Sequence, residues 1–282
     1  MRRRVPSRYA LVAGALATAA LLASCGTETP DESEPVPPPT GVPNLIWRGD
    51  AETGDLTQFE DTPWNIAGGA GPPEVVSDGA VVRDGRHAVK ITIPGVSNGE
   101  GITSDSRNEL EPRIPDFKEG DELYFGFSTL LGEGFPVQEE WQVITQWKND
   151  GQGSPPVELS VQGGQFDLSG GYGHPDEVGA FRVPLAPAVP GTWSDWVFRI
   201  RFSTDPARGE VEVWQNGRLV LPTYRPESGT MYPPGNEDSS DVPLSYLKIG
   251  YYRDADISTP GTVYFDNWRV GTTADAVARY LG

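Results

Sequence analysis

The sequence is short of the residues that build disulfide and transition-metal sites. It has one cysteine and two histidines in 282 residues. One cysteine excludes an intramolecular disulfide framework and any cysteine-cluster metal site. Two histidines argue against a histidine-rich zinc site. Positive charge is scarce as well: 22 lysines and arginines stand against 40 acids, for a formal net charge of −18. No nucleic-acid partner is expected, because non-specific binding to nucleic acid rests on basic surface. The 34 glycines and 27 prolines stay below the roughly 25–30% share that marks low-complexity chains. What the chain does have is aromatic mass. Eight Trp, ten Tyr and ten Phe can fill one large core or two small ones.

Arg2, Arg3, Arg4 and Arg8 precede an apolar stretch from Tyr9 to about Ala23. This is the layout of a secretory signal, too short for a confident membrane span. Leu22-Ala23-Ser24-Cys25 then resembles a bacterial lipobox. That resemblance implies a lipoprotein signal peptide over 1–24 and a lipidated Cys25 as the new N-terminus. The domain would then be extracytoplasmic, lipid-anchored to the bacterial cell membrane, and in contact with membrane only through that anchor. The plainer alternative is a cleaved signal with a chance cysteine. Residues 1–24 carry four arginines and no acid, so their removal takes the charge from −18 to −22. Residues 26–43 are rich in Pro, acid and hydroxyl side chains, so 25–43 reads as a disordered or polyproline-like tether.

From Asn44 to Gly282 the pattern is one of short alternating runs between turn signals. His87–Ile93, Glu122–Leu131, Trp141–Lys148, Val157–Gln162, Gln165–Ser169, Trp196–Phe202, Glu210–Trp214, Leu244–Tyr252 and Thr262–Val270 all show period two. Gly163-Gly164 and Asn216-Gly217 are tight-hairpin signals. The one helix-like stretch is terminal, Thr273–Tyr280. Many strands without alternating helices predict an all-β sandwich of two antiparallel sheets, a jelly roll, in a single domain over 44–282. Trp193–Phe202 followed by Gly209–Val220 resembles a strand pair of concanavalin-A-like sandwiches. The tryptophans there are expected in the core rather than as sugar platforms.

Three of these runs place polar groups on a common face. In an extended Arg107–Arg113, residues 107 and 109 point the same way. Gln146 and Lys148 share a face opposite Trp147. Tyr246, Lys248, Gly250 and Tyr252 share a face, and Leu247, Ile249 and Tyr251 take the apolar one. Gly250 is read as space for a ligand to approach the backbone.

Arg107-Asn-Glu-Leu, Gln146-Trp-Lys and Tyr246-Leu-Lys-Ile-Gly-Tyr-Tyr-Arg253, in that order, resemble the three-strand signature of jelly-roll polysaccharide lyases. These are the alginate lyases and the related glucuronan and heparin lyase I-like families. Gly49–Asp55 and Tyr264–Gly271 resemble the ends of the heparin lyase I-like group. The resemblance implies β-elimination on an anionic, uronic-acid-containing polysaccharide. Tyr252 would serve as base and acid. Gln146 would hydrogen-bond the uronate carboxyl, Arg107 and Lys148 would neutralise it, and Glu109 would fix the Arg107 side chain. Glu109, Lys248, Tyr246, Arg253 and His174 complete the implied substrate-binding set. Lys148 departs from the family, which usually has histidine there; as a base it would need a strongly depressed pKa.

The chemistry is expected to need no cofactor. Asp50, Glu52 and Asp266 lie near the two ends of the domain, where hard oxygen ligands suit a structural Ca²⁺. Surface carboxylates beside a turn are the alternative. A monomer is expected. Three other functions remain open on sequence: a non-catalytic carbohydrate-binding lipoprotein, a laminarinase-type hydrolase and an adhesion module. The hydrolase lacks the clustered acids that two-carboxylate hydrolysis requires.

Overall fold

Alternating residues from Leu45 onward form strands, some of which, such as Leu45–Gly49, bury one face, whereas Gln142–Asn149 and Val157–Gln162 are buried on both. The computed structural model describes residues 41–60, 64–67, 70–95, 106–150, 153–234 and 242–278. The lipobox at Cys25, the signal peptide and nearly all of the tether lie outside the described residues. The strands, in chain order, are β1 (Leu45–Gly49), β2 (Trp64–Ala67), β3 (Glu74–Val76), β4 (Ala88–Ile93), β5 (Ser106–Leu110), β6 (Phe117–Lys118), β7 (Glu122–Leu131) and β8 (Gln142–Asn149). There follow β9 (Val157–Gln162), β10 (Gln165–Gly170), β11 (Phe181–Pro187), β12 (Trp193–Arg201), β13 (Glu210–Gln215), β14 (Arg218–Tyr224), β15 (Leu244–Arg253) and β16 (Gly261–Gly271). Among the described residues the single helix is short: α1 spans Ala274–Val277.

The strands make two sheets, antiparallel throughout. One runs β14-β13-β12-β7-β16-β4-β3, with β1 also on β16; the other runs β11-β10-β9-β8-β15-β5-β2, with β6 also on β15. This is the expected jelly-roll sandwich. Trp47, Trp147, Trp196 and Trp268 are all buried between the sheets. The Phe127 ring stacks on Trp268 at 3.9 Å, and Phe125 meets Trp147 edge-on at 5.2 Å. Trp196 is in the core as expected, whereas Trp193 and Trp214 are only half-buried.

Both predicted hairpins form. Gly163 and Gly164 have φ of 57° and 78°, and Asn216 and Gly217 have 49° and 75°. Two positive φ values in a row suit a two-residue turn between twisted strands. The turns join β9 to β10 and β13 to β14. β11 and β14 escape the alternation rule because Pro184 and Pro187 interrupt one and Pro222 the other. Both are edge strands, where a missing N–H is tolerated.

Candidate active site

The three motif strands are neighbours in one sheet. β15 lies between β8 and β5. Tyr252 pairs with Arg107, Gly250 with Glu109, Lys248 with Gln146 and Tyr246 with Lys148. Strand alternation then puts all these side chains on the sheet face away from Trp147, Leu247, Ile249 and Tyr251, which are buried in the core. Bulges interrupt the ladder between Ile249 and Tyr252 on β15 and between Val143 and Thr145 on β8. The register spreads the groups along the face. Gln146 is level with Lys248, four residues from Tyr252, or roughly 13 Å of strand rise. Lys148 lies two residues further on.

Around Tyr252 the contacts are aromatic and cationic. The Arg107 guanidinium lies over its ring at 4.1 Å, and Trp141 meets it edge-on at 4.9 Å. Such a cation–π contact contributes about 0.5–2 kcal/mol. Tyr252 also walls a cavity of about 480 Å³ that crosses β8, β9 and β10.

Around Lys248 the contacts are ionic and buried. Gln146 donates its Nε2–H to Glu109 Oε1. Lys248 Nζ lies 3.7 Å from Glu109 Oε2 and 3.9 Å from Glu111 Oε1. Burial, opposed by Lys248, raises the Glu111 carboxyl to about 7. Lys148 Nζ donates to Asn149 Oδ1 at 2.9 Å. Burial and then the Lys248 charge lower the Lys148 ammonium to about 8. Burial likewise pushes the Tyr246 hydroxyl well above its usual range.

Several expectations need correction. Glu109 does not hold Arg107; it is 2% exposed and bound to Gln146 and Lys248. Arg253 is wholly buried on the core side, where its Nη2 donates to the Pro94 carbonyl at 2.9 Å and its Nη1 to that of Thr259. Alternation requires this, because Arg253 shares a face with Tyr251. His174 caps its own loop, accepting the Asp176 N–H on Nδ1 and meeting the Tyr232 ring at 5.3 Å. Gly250 leaves no room for a ligand. A Cβ there would lie 2.6 Å from Glu109 Cα and closer still to the Asn108 carbonyl, so the glycine permits close approach of β5.

One residue of the face escaped the motif reading. Glu158 pairs with Gln146 across β8 and β9 and shares the cavity wall with Tyr252. Its carboxylate accepts the Ser169 hydroxyl at 2.8 Å, and burial, partly offset by that bond and reinforced by Glu109, raises it to about 7. The alternation Glu158, Ser160, Gln162 was a visible signal of a polar face. The cations expected in the groove are thus matched by acids, the buried Glu109 and Glu158 and the half-buried Glu111.

The acids at the domain ends do not form a three-carboxylate site. No cluster of three or more His, Cys, Asp or Glu able to hold a metal occurs among the described residues. Glu52 Oε1 accepts the backbone N–H groups of Arg86 and His87 at 2.7 and 2.8 Å. Asp50 accepts from Arg48 and from Gln58 Nε2. Asp266 Oδ2 accepts the N–H groups of Arg83 and Asp84, while its buried Oδ1 lacks a partner. Burial raises Asp266 to about 7, opposed by those backbone bonds and reinforced by Asp50.

Comparison with known structures agrees with this architecture. A fungal endo-β-1,4-glucuronan lyase from Trichoderma reesei superposes with a TM-score of 0.63 at 21% identity, over 83% of this chain and 98% of that one. An alginate lyase from Chlorella virus gives 0.52 at 13% identity, over 82% and 100%. The catalytic domain of a glycoside hydrolase family 131 protein from Coprinopsis cinerea gives 0.50 at 14%, over 82% and 95%. At these identities the likeness concerns the fold, which serves lyase and hydrolase alike. No curated protein sequence matches. The family comparison does separate the two chemistries, because residues 51–269 match the polysaccharide lyase family. With its jelly roll and with the match spanning most of its length, the chain belongs to the polysaccharide lyases.

Proposed function

We propose that this lyase cleaves a uronic-acid-containing polysaccharide by β-elimination, with Tyr252 as base and acid. The observation that carries the reading is the Arg107–Tyr252 pair, a cation 4.1 Å above the ring of the one motif tyrosine that lines the cavity on β8 to β10. The C5 proton of a uronate is barely acidic. Its removal becomes feasible when positive charge and hydrogen-bond donors stabilise the enolate that develops on the adjoining carboxylate. Arg107 supplies charge next to Tyr252. Gln146, steered by Glu109, offers an amide, and Lys148 adds charge further along the face. The Tyr252 phenolate takes the C5 proton, the C4–O4 bond breaks, and the resulting phenol returns the proton to O4. The products are a new chain end and an unsaturated sugar with a C4–C5 double bond. Near neutral pH, Lys148 with a pKa of about 8 is mostly protonated, which suits charge neutralisation better than proton abstraction.

A structural calcium, if bound, falls to Asp50 and Asp266, and the elimination is assigned to side chains. Cys25 would tether the domain to the membrane, with residues 26–43 as spacer. The test of the enzymatic reading is incubation with a panel of polyuronates. Unsaturated oligosaccharides, seen as new ultraviolet absorbance, support it. Binding without product would favour a lectin, and reducing ends without the chromophore would indicate hydrolysis.

A further inference from the structure

The groove changes character across the sheet. Reading along the register from β5 to β10, one row runs Arg107, Tyr252, Val143, Ser160, Asp167. Another runs Lys248, Gln146, Glu158, Ser169. The cations Arg107 and Lys248 stand at the β5–β15 end. From β15 to β10 the chain crosses three strand spacings, about 14 Å. On this stretch the cavity beside Tyr252 presents Trp141, Tyr172, hydroxyls and the carboxyl of Glu158.

This wall suits a sugar without charge. Tyr172 is 59% exposed and offers a ring face, and Trp141 lines the same cavity. Ser160 and Ser169 bond to each other at 2.7 Å and, through Ser169, to Glu158. Glu158 is 7% exposed, and the groups acting on it are Ser169 and the acid Glu109, with no cation among them. The cavity's one basic lining residue, Arg182, is already bound to Asp167 Oδ2 at 2.8 Å and to the Gln162 carbonyl at 3.0 Å. A second uronate here would set its carboxylate against a buried acid without a counter-ion, an arrangement that rejects rather than binds. The same carboxylate can instead accept a hydrogen bond from a hydroxyl of a neutral sugar.

We infer that the subsite beside Tyr252, on β8 to β10, receives an uncharged sugar, so that the preferred substrate alternates uronic acid with neutral residues instead of being a homopolyuronate. The inference rests on the lyase reading above and specifies its substrate class. It also resolves a charge problem, because a chain as acidic as this one repels a dense polyanion more than a sparse one.

The experiment compares kcat/KM for a homopolyuronate and for polymers in which uronate alternates with a neutral sugar, for wild type and Glu158→Gln. The alternating polymer should be preferred by at least ten-fold, and Glu158→Gln should reduce that preference at least five-fold by relieving repulsion of the homopolymer. Equal or better turnover of the homopolymer by wild type overturns the inference and leaves the lyase reading intact. Unsaturated product from none of the polymers overturns the lyase reading. Calorimetric binding of matched oligosaccharides to Tyr252→Phe then decides the subsite separately. Tighter binding of the alternating oligomer supports it, and equal or tighter binding of the homo-oligomer refutes it.

Discussion

Replacing Lys148 by methionine should stabilise the protein and weaken it as an enzyme. Lys148 sits on the polar face with its ammonium largely withdrawn from water and near the Lys248 charge, which together bring it from 10.5 to about 8. Since the folded value lies below the unfolded one, the folded state holds fewer protons between pH 8 and 10.5. Stability therefore rises with pH across that window, and the whole penalty is present below pH 8. The gap corresponds to about 3 kcal/mol at 1.36 kcal/mol per pKa unit. Methionine keeps a flexible, unbranched stem in place and removes the charge. At pH 7 the variant should gain about 2–3 kcal/mol, or about 5–10 °C in Tm for a domain of this size. Thermal melts of both proteins from pH 7 to 10.5 test this, with the difference between them cancelling all other titrations. The advantage should shrink steadily above pH 8 and vanish near pH 10.5. A less stable variant at pH 7, or an advantage independent of pH, would refute the electrostatic account. Turnover of a uronate polymer should fall about ten-fold in the same variant.

Tyr252→Phe should remove at least 99% of the elimination activity while leaving Tm within about 1 °C, because the ring that Arg107 and Trp141 contact is retained. Gly250→Ala should cost about 3 kcal/mol in denaturant unfolding and depress activity, since the added Cβ pushes β15 from β5 and parts Tyr252 from Arg107. Glu158→Gln should match wild type in stability at pH 4.5 and exceed it by up to about 3 kcal/mol at pH 8. The sign follows from a folded pKa of about 7 against 4.5: wild-type stability is lost as pH rises through that range. Chelation should lower Tm if Asp50 and Asp266 hold calcium, and an unchanged melt removes the ion from the account.

The fold was legible because its strands alternate cleanly. Leu247, Ile249 and Tyr251 faced the core as read, and the tight turns at Gly163-Gly164 and Asn216-Gly217 formed where the residues demanded positive φ. Much of the site followed from the same rule, with Arg107, Gln146, Lys148, Lys248 and Tyr252 on one face. What alternation does not supply is register. The pairing of Lys248 with Gln146 and of Tyr246 with Lys148 sets both groups apart from Tyr252 along the sheet, and spacing within each motif is silent on that. Nor does it supply partner choice. Glu109 turned to Gln146 and Lys248 instead of Arg107 because those groups flank it across β15. Arg253 could have been excluded, since it shares parity with Tyr251. Glu158 belonged to no motif, and its importance appeared only when β9 paired with β8.

The proline-bearing strands β11 and β14 are more than imperfect sequence signals. They are outer strands of the two sheets and lie side by side at one flank of the sandwich. A strand that lacks N–H groups at Pro184, Pro187 or Pro222 is a poor template for another chain. That flank therefore resists the edge-to-edge stacking through which β-rich proteins polymerise. Copies concentrated together should remain separate, and replacing these prolines with valine would turn a quiet border into a growth point for fibres.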